Sequence, residues 1–432
     1  MSAARHHHAG IRMKSLLSSL HGIALMVRRS IRHHALSSII TAASLALASG
    51  LVMATFTVYR QAHQAFTAGG AGFDAVLGAR GSQVQLVLNA VFHLDVSPGN
   101  IPWSLYQAIK ARPEVEVAIP YALGDNYYSF RIIGTTLDLF QRFRLPDGEP
   151  LSFQQGEIFD VARREAVVGH IAAQRTGLRP GDVFQPYHGL TFDPTHQHAE
   201  EYVVIGILKP TNTPLDRVIF IPIEGVFRME GHVLRASGET FVPEAGREIP
   251  DEHKEVSAVL LKLSDPQAGF TLSQMVNRQG NVATLAWPVG TVMADLFERF
   301  GWGIELLKAI AWLVVLVAIT SGMASLYNTM DGRRRDMAIM RALGARRRTL
   351  VTAIVAEATT IATLGAIAGF AVYATILSTA AILIQQNIGV VINLYAPHPV
   401  LILTPLSVIA LGSFSGLLPA VQAYRTDPVS NL

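Results

Sequence analysis

A short polar loop near the middle of the chain carries the residue types that bind transition metals. His188, Asp193, His196 and His198 fall within 14 residues that end at Glu201. In an extended segment, the side chains of His196 and His198 would leave the same face. Imidazole and carboxylate groups together suit zinc or copper. The alternative is a solvated polar loop that holds these residue types by chance, so zinc binding is a hypothesis at this stage.

Other candidate chemistry is weaker. His93 with Asp95 is a smaller version of the same donor set, and no role is assigned to His6, His7 and His8 in the amino-terminal tail. The chain contains no G-x-x-x-x-G-K-[ST], G-x-S-x-G or H-E-x-x-H motif and no cysteine. We therefore expect no catalytic residues and no cofactor bound directly by this chain.

Four long stretches of the chain carry at most one charge each. Charged residues make up 16% of the 432 residues, below the roughly 25% of soluble proteins. A helix needs about 20 apolar residues to cross a membrane, so four transmembrane helices are predicted. This pattern excludes a purely cytosolic enzyme and a many-span carrier. The uncharged runs are 35–59, 309–330, 350–384 (interrupted only by Glu357) and 399–424.

The positive charges beside these runs predict the orientation. Residues 1–34 hold six Lys and Arg and no acidic residue, and 328–349 hold seven against two acidic residues. The segment 60–303 holds 20 basic and 27 acidic residues. Basic residues collect in cytoplasmic loops, so both termini are predicted to be cytoplasmic. The basic pI of 9.1 then reflects topology, and no nucleic-acid partner is expected.

The amino-terminal segment has a helical apolar pattern. Leu16, Leu20, Ile23, Val27 and Ile31 recur at spacings of three and four. Such a helix would lie along the cytoplasmic membrane surface, where membrane lipid is the expected contact.

The segment 60–303 alternates short apolar strands with turn signals and a few helical patterns. The strands predicted at 203–208 and 218–223 are expected to form a hairpin, or to be neighbours joined by a long connection. The predicted fold class is an α-helical membrane protein with four transmembrane helices and a large α+β extracytoplasmic domain between helices 1 and 2. The predicted parts are a cytoplasmic amphipathic segment (1–34), helix 1 (35–59), the extracytoplasmic domain (60–303), helix 2 (304–330), a cytoplasmic loop (331–349), helix 3 (350–384), an external loop (385–398), helix 4 (399–424) and a cytoplasmic tail (425–432).

The short cytoplasmic loop is the most informative stretch. Met337, Met340 and Leu343 would share one face of a short amphipathic helix, with Ile339 to one side and Gly344 well placed to end it. Basic clusters flank this helix on both sides. An ordinary positive-inside loop would explain the arginines but neither the apolar face nor the glycine.

This loop resembles a known family. The run from Arg333 to Arg346 matches the pattern R-R-R-[DE]-[IM]-A-I-[LM]-R-A-L-G-A-[RS] and is followed by a span that contains Glu357. It is similar to the FtsX-type permease domain of ABC transporters, the family of the macrolide exporter MacB and the lipoprotein-releasing LolC and LolE. The ending from Pro419 to Val429 is similar to that of the family, and so is the four-span plan with its large external domain.

The resemblance implies a role for the loop as a coupling helix that docks on a separate ATPase subunit. Glu357 would be either part of that linkage or a salt-bridge partner of the Arg346–Arg348 cluster. Gly365 and Gly369 form a G-x-x-x-G pattern that permits close helix packing, either within one subunit or between two. The residues expected to couple to the ATPase are Arg333, Arg334, Arg335, Met337, Ile339, Met340, Arg341, Leu343 and Gly344.

The resemblance also implies partners and a location. We expect a multi-pass protein of the bacterial inner membrane that works with an ABC ATPase, through which it uses ATP, and with a second permease subunit in a homodimer or heterodimer. The function expected is mechanotransmission, with ATP hydrolysis moving the periplasmic domain for export or extraction of a substrate. A periplasmic adaptor, a lipoprotein or a binding protein would be a further partner. The alternatives are metal-related transport that uses the loop from His188 to Glu201, and signalling to a cell-wall hydrolase as in FtsX.

Overall fold

A computed structural model describes residues 21–67, 72–189, 192–229, 247–342, 345–389, 397–417 and 419–421. For residues 329–336 and 342 it describes the backbone only. The coupling residues Leu343 and Gly344 therefore lie outside the described residues, as do residues 1–20 and the tail 425–432.

These ranges include twelve α-helices, two 3-10 helices, one π-helix and thirteen strands. The helices are α1 (21–33), α2 (Ala35–Thr67), α3 (Gln83–Ala90), α4 (Trp103–Lys110), α5 (Asp138–Gln141), α6 (His170–Thr176), α7 (Ile223–Arg228), α8 (Pro266–Ser273), α9 (Val289–Arg299), α10 (Gly301–Ala342), α11 (Arg347–Ile388) and α12 (Val400–Ser415). The strands are β1 (Ala75–Ala79), β2 (Ile101–Pro102), β3 (Val115–Tyr127), β4 (Phe130–Thr135), β5 (Phe153–Gly156), β6 (Glu165–Val168), β7 (Val183–Phe184), β8 (Tyr187–His188), β9 (Tyr202–Leu208), β10 (Val218–Pro222), β11 (Glu255–Val256), β12 (Ala258–Leu263) and β13 (Ala283–Ala286).

The chain divides into two compact units. A helical unit comprises Met1–Arg60, Trp302–Ala380 and Asn393–Leu432, and an α+β domain comprises Gln61–Gly301 and Ala381–Ile392. Among the described residues, four helices are long and apolar enough to cross a membrane. These stretches are Ala35–Thr67, Gly301–Asn328, Arg347–Ile388 and Val400–Val421. The predicted fold class is confirmed, with a mixed α+β domain between the first and second of these helices.

Close contact between α2 and α11 holds the helical unit together. A Cβ atom built on Gly365 would lie 2.8 Å from Leu45 Cβ, and one built on Gly369 would lie 2.9 Å from Ser49 Cβ. Only glycine allows the two backbones to come this close. The G-x-x-x-G pattern therefore serves packing within one chain, the first of its two interpretations.

An 11-stranded mixed sheet forms the centre of the α+β domain. Its order is β13-β1-β12-β3-β4-β10-β6-β9-β5, while β8 pairs with β3 and β7 pairs with β9. Alternate residues of a strand point to opposite faces, and both faces are covered here. In β10, for example, Ile219 and Ile221 enter one apolar core and Phe220 enters the other.

One strand-pairing prediction is wrong. The strands at 203–208 and 218–223 are present as β9 and β10, but they form no hairpin and are not neighbours. β6 lies between them, antiparallel to β10 and parallel to β9. β6 is apolar and fully buried over Ala166–Val168, as expected of a strand inside a sheet that is covered on both faces.

The α+β domain also includes the ends of two long helices, α2 and α11. The helix α2 continues past Tyr59 to Thr67, and Phe66 packs against the buried aromatic ring of Phe92. Ile388, the last residue of α11, packs against the same apolar core as Phe66. The Arg217 guanidinium donates a hydrogen bond to the Asn387 backbone oxygen.

Candidate functional site

The longest strand of the domain positions a buried acidic residue. In β3 the register against β4 shifts between Leu123 and Asp125, a bulge that re-aims the side chains that follow it. The adjoining turn has positive φ at both Tyr128 and Ser129, as a two-residue hairpin of type I′ requires. The Asn126 side chain accepts a hydrogen bond from the Ser129 amide at 3.0 Å, which stabilises this turn without glycine.

The polar histidine loop folds back on the other edge of β3. Asp125 is the register partner of His188 in β8. The His188 amide donates to the His196 oxygen at 2.8 Å, and the His198 amide donates to the Pro186 oxygen at 2.9 Å. The loop is thus a small hairpin, which carries His198 back toward β3.

The side chains of Asp125, His188 and His198 come together where β8 pairs with β3. His188 Nδ1 lies 3.4 Å from Asp125 Oδ1, and His198 Nε2 lies 3.1 Å from the same oxygen. One ligand atom from each of the three residues lies within 4.8 Å of the others. The exposed side-chain fractions are 1% for Asp125, 8% for His198 and 56% for His188. We call these three residues the Asp–His cluster.

Charge within the cluster favours a cation. The Asp125 carboxylate accepts a hydrogen bond from His188 and so raises the pKa of that imidazole, against the opposing effect of burial. A carboxylate removed from water needs positive charge or hydrogen-bond donors around it. The arrangement can therefore accommodate positive charge beside Asp125.

The predicted metal set is corrected in two ways. His188 and His198 do come together, but Asp193 and His196 pair with each other instead, at 3.1 Å on the exposed part of the loop. Thr195 donates its hydroxyl and its amide to Asp193 Oδ1, and these bonds lower the pKa of Asp193 to about 2. Asp193 is thus held in a local turn of its own.

Asp125, which the loop motif did not include, is the third member. It lies 63 positions before His188, so no spacing rule links the two. A sequence signal was nevertheless available, because Asp125 follows the apolar run Ala118–Leu123 within a strand. An acidic residue in such a position is seldom buried without a partner.

The surroundings of the weaker histidine candidate are unfavourable for a metal ion on electrostatic grounds. His93 is buried, and the pKa of its imidazole is lowered to about 3, chiefly by the removal of water and also by the neighbouring cations Arg131 and Arg217. Positive charge on two sides opposes a metal ion at this position.

The segment expected to couple to an ATPase is not a separate short helix. It is the final part of α10, which runs without a break from Gly301 to Ala342. The Ala345 amide donates to the Met340 oxygen at 3.0 Å, a bond typical of helix ends. The backbones of Arg333, Arg334 and Arg335 lie within this helix.

The apolar residues of the segment divide between two roles. Met337 is only 5% exposed and packs with Leu350, Ile354 and Ala420. Its burial within the chain leaves it little surface for the predicted contact with an ATPase. Ile339 is 42% exposed and stays available. Met340 and Arg341 are half-buried.

Glu357 lies in a groove beside this segment. Its side chain is buried in α11 and accepts a hydrogen bond from the Ser30 hydroxyl at 2.5 Å. Ser30 belongs to α1, whose apolar residue Val27 is also buried. A cavity of about 560 Å³ is lined by α1, by the end of α10 and by the start of α11. Glu357 thus links α11 to the amino-terminal helix.

Two family models match the chain over most of its length. The model for the FtsX-like permease C-terminal region matches residues 308–428, and the MacB-like periplasmic core domain matches residues 38–277, more than half of the chain. No curated protein matches the chain.

Two solved structures are similar to it. The periplasmic region of MacB from Actinobacillus actinomycetemcomitans is 12% identical, with 52% of this chain and 94% of that chain covered and a TM-score of 0.32. The extracellular domain of the noncanonic ABC-type transporter YknZ from Gram-positive bacteria is 13% identical, with 49% and 97% covered and a TM-score of 0.27. On the family models, the chain belongs to the FtsX-like permeases of ABC transporters and carries a MacB-like periplasmic core domain.

Proposed function

We propose that the chain is the membrane subunit of a mechanotransmitting ABC complex. In this function a separate ATPase subunit binds the cytoplasmic end of α10, and its closure moves the α+β domain on the other side of the membrane. The substrate is exported or extracted on the periplasmic side without passing between these helices. ATP acts only through the partner subunit.

The observation that carries the proposal is the continuity of α10. Its 42 residues include both a membrane-crossing stretch and the basic segment that begins at Arg333. At 1.5 Å per residue this helix is about 63 Å long. Because every internal peptide is hydrogen-bonded, a displacement at one end is transmitted along the axis with little loss. A separate short helix joined by a flexible turn would transmit less of the movement.

The ends of α2 and α11 give further support. Phe66 at the end of α2 and Ile388 at the end of α11 pack into the same core of the α+β domain. Glu357 and Ser30 join α11 to α1. A movement of the transmembrane helices therefore acts on packed side chains of the domain, which are difficult to compress.

The cytoplasmic end of the chain suits a protein partner. Ile339 offers an exposed apolar contact, and Arg346, Arg347 and Arg348 are exposed beside the start of α11. An apolar contact surrounded by positive charge favours binding to an acidic groove and sets its orientation. In this arrangement both termini are cytoplasmic, the complex lies in the inner membrane, and two permease subunits pair with two ATPases.

The test begins with purification of the complex from its native membrane and identification of its subunits by mass spectrometry. The chain contains no cysteine, so Val161→Cys in the domain and Thr352→Cys at the start of α11 accept spin labels at chosen places. Distances between the labels are then measured with and without a non-hydrolysable ATP analogue. We expect the analogue to shift the distance distribution.

A helix break provides the matched control. Proline at exposed Asn328 removes a hydrogen bond from the middle of α10 and costs about 3 kcal/mol, whereas Asn328→Ala leaves the helix whole. We expect Asn328→Pro to retain the ATPase but lose the nucleotide-dependent shift, and Asn328→Ala to keep both. Absence of an ATPase from the purified complex, or an unchanged shift in Asn328→Pro, would refute the proposal.

A further inference from the structure

We propose that Asp125, His188 and His198 form a binding site for a divalent transition-metal ion, with Zn²⁺ as the best match. The proposal concerns the α+β domain alone. It requires neither an ATPase nor movement of the helices, so it stands or fails independently of mechanotransmission.

The distances fit a tetrahedral ion. Zinc binds imidazole nitrogen and carboxylate oxygen at roughly 2.0–2.2 Å, which places the ligand atoms of a tetrahedron about 3.4 Å apart. The two nitrogen–oxygen distances in the cluster are 3.4 Å and 3.1 Å. The three ligand atoms already lie within 4.8 Å of one another, so little backbone movement is needed.

The cluster is held in place by the fold. Asp125 is fixed by the bulge in β3 and His188 by pairing of β8 with that strand. Beside them, Asn126 donates its side-chain amide to the Gly189 oxygen at 2.9 Å, which fixes the chain after His188. Phe192 packs on the ring of Tyr187 with ring centroids 4.7 Å apart, and so anchors the far side of the loop.

The ligand types select the class of metal. Two imidazoles and one carboxylate suit zinc and its neighbours, whereas calcium and magnesium prefer oxygen ligands only. Three protein ligands leave one position for water or another ligand. The exposure of His188 provides access from solvent. This combination indicates a site that exchanges its ion, in contrast to a closed structural site.

Both imidazole nitrogens face the same carboxylate oxygen. Removing either the buried carboxylate or the nearly buried His198 should abolish the site, because the described residues place no further His, Asp or Glu ligand in this group.

Binding is measured on the full-length chain in detergent by competition with a chromophoric zinc chelator. The parent protein for this experiment has His6, His7 and His8 replaced by Gln, because these adjacent histidines are themselves potential zinc ligands. We expect one tightly bound Zn²⁺ per chain. Asp125→Asn and His198→Ala should lose more affinity than the roughly 10–100-fold typical of residues that only surround a metal.

The matched control is His196→Ala, which removes an exposed histidine from the same loop. Because His196 pairs with Asp193 outside the cluster, its removal should leave the zinc affinity unchanged. Equal losses in His196→Ala and His198→Ala, or full affinity in Asp125→Asn, would overturn the assignment. Absence of zinc binding to the parent would do the same.

A second measurement needs no substitution in the cluster and so does not depend on folding of a variant. Zinc should protect His188 from modification by diethyl pyrocarbonate, read by mass spectrometry, while His196 stays reactive. Equal modification of His188 with and without zinc would also overturn the proposal.

Discussion

The glycine contact between α2 and α11 gives the sharpest test of the helical packing. Alanine at Gly365 would place a methyl group 2.8 Å from Leu45 Cβ and 2.9 Å from the Ala42 backbone oxygen. Alanine at Gly369 would place one 2.9 Å from Ser49 Cβ. Carbon atoms pack at about 3.5–4.0 Å, so the two helices must separate by several tenths of an ångström.

The expected change in the free energy of unfolding combines two opposing effects. Replacing glycine by alanine inside a helix favours folding by about 0.5–1 kcal/mol. Overpacking at a tight contact typically costs about 1–3 kcal/mol. Gly303 in α10 supplies the matched control, because no described atom lies within 4 Å of a Cβ built there. Gly369→Ala should therefore be less stable than Gly303→Ala by about 1–3 kcal/mol.

The assay is thermal unfolding of the full-length chain in detergent, followed by circular dichroism and repeated at several protein concentrations. The melting temperature should be highest for Gly303→Ala, lower for the parent, and lowest for Gly365→Ala and Gly369→Ala. Equal stability of Gly369→Ala and Gly303→Ala would refute intrachain packing. A variant that keeps its monomer stability but no longer dimerises would place the contact between subunits instead.

Three further predictions concern other buried groups. The pKa of His93 is near 6.5 in the unfolded chain but about 3 in the folded protein. The free energy of unfolding therefore falls as the pH drops below 6.5, by about 2 kcal/mol at pH 5. Chemical unfolding of His93→Asn, which suits the positive φ at this position, should show a smaller loss between pH 7 and 5, and an equal loss would contradict this account. Ser30→Ala should destabilise the chain by about 1–3 kcal/mol because Glu357 loses a donor; in a double-mutant cycle with Glu357→Gln, purely additive losses would argue against the pair. Met337→Ala should lower the melting temperature, whereas Ile339→Ala should leave it unchanged and weaken ATPase retention during purification; the reverse pattern would contradict the burial of the two side chains.

The transmembrane plan could be predicted from the sequence because it depends on local composition. About 20 consecutive apolar residues suffice to identify a span whatever the rest of the chain does. Helix boundaries were less predictable. The helix α2 continues to Thr67, since Phe66 finds an apolar core beyond the span. The helix α10 continues to Ala342, so the segment expected to form a separate short helix is the end of one continuous helix.

Strand order and cluster membership required the folded chain. β6 separates β9 from β10 through contacts between residues far apart in sequence, which no local pattern encodes. The loop motif identified His188 and His198 but also included Asp193 and His196, because their residue types alone do not reveal which pairs form. Local hydrogen bonds to Thr195 held Asp193 away from the cluster.

The class of protein could be predicted from the uncharged stretches and from the motif between Arg333 and Arg346. Hydropathy and short motifs act over a few turns of helix, so they can be read one segment at a time. The grouping of Asp125 with His188 and His198 depends on the folded chain, since strand pairing brings together residues 63 positions apart in the sequence. The same holds for the burial of Met337, which depends on a neighbouring helix and not on its own amphipathic pattern.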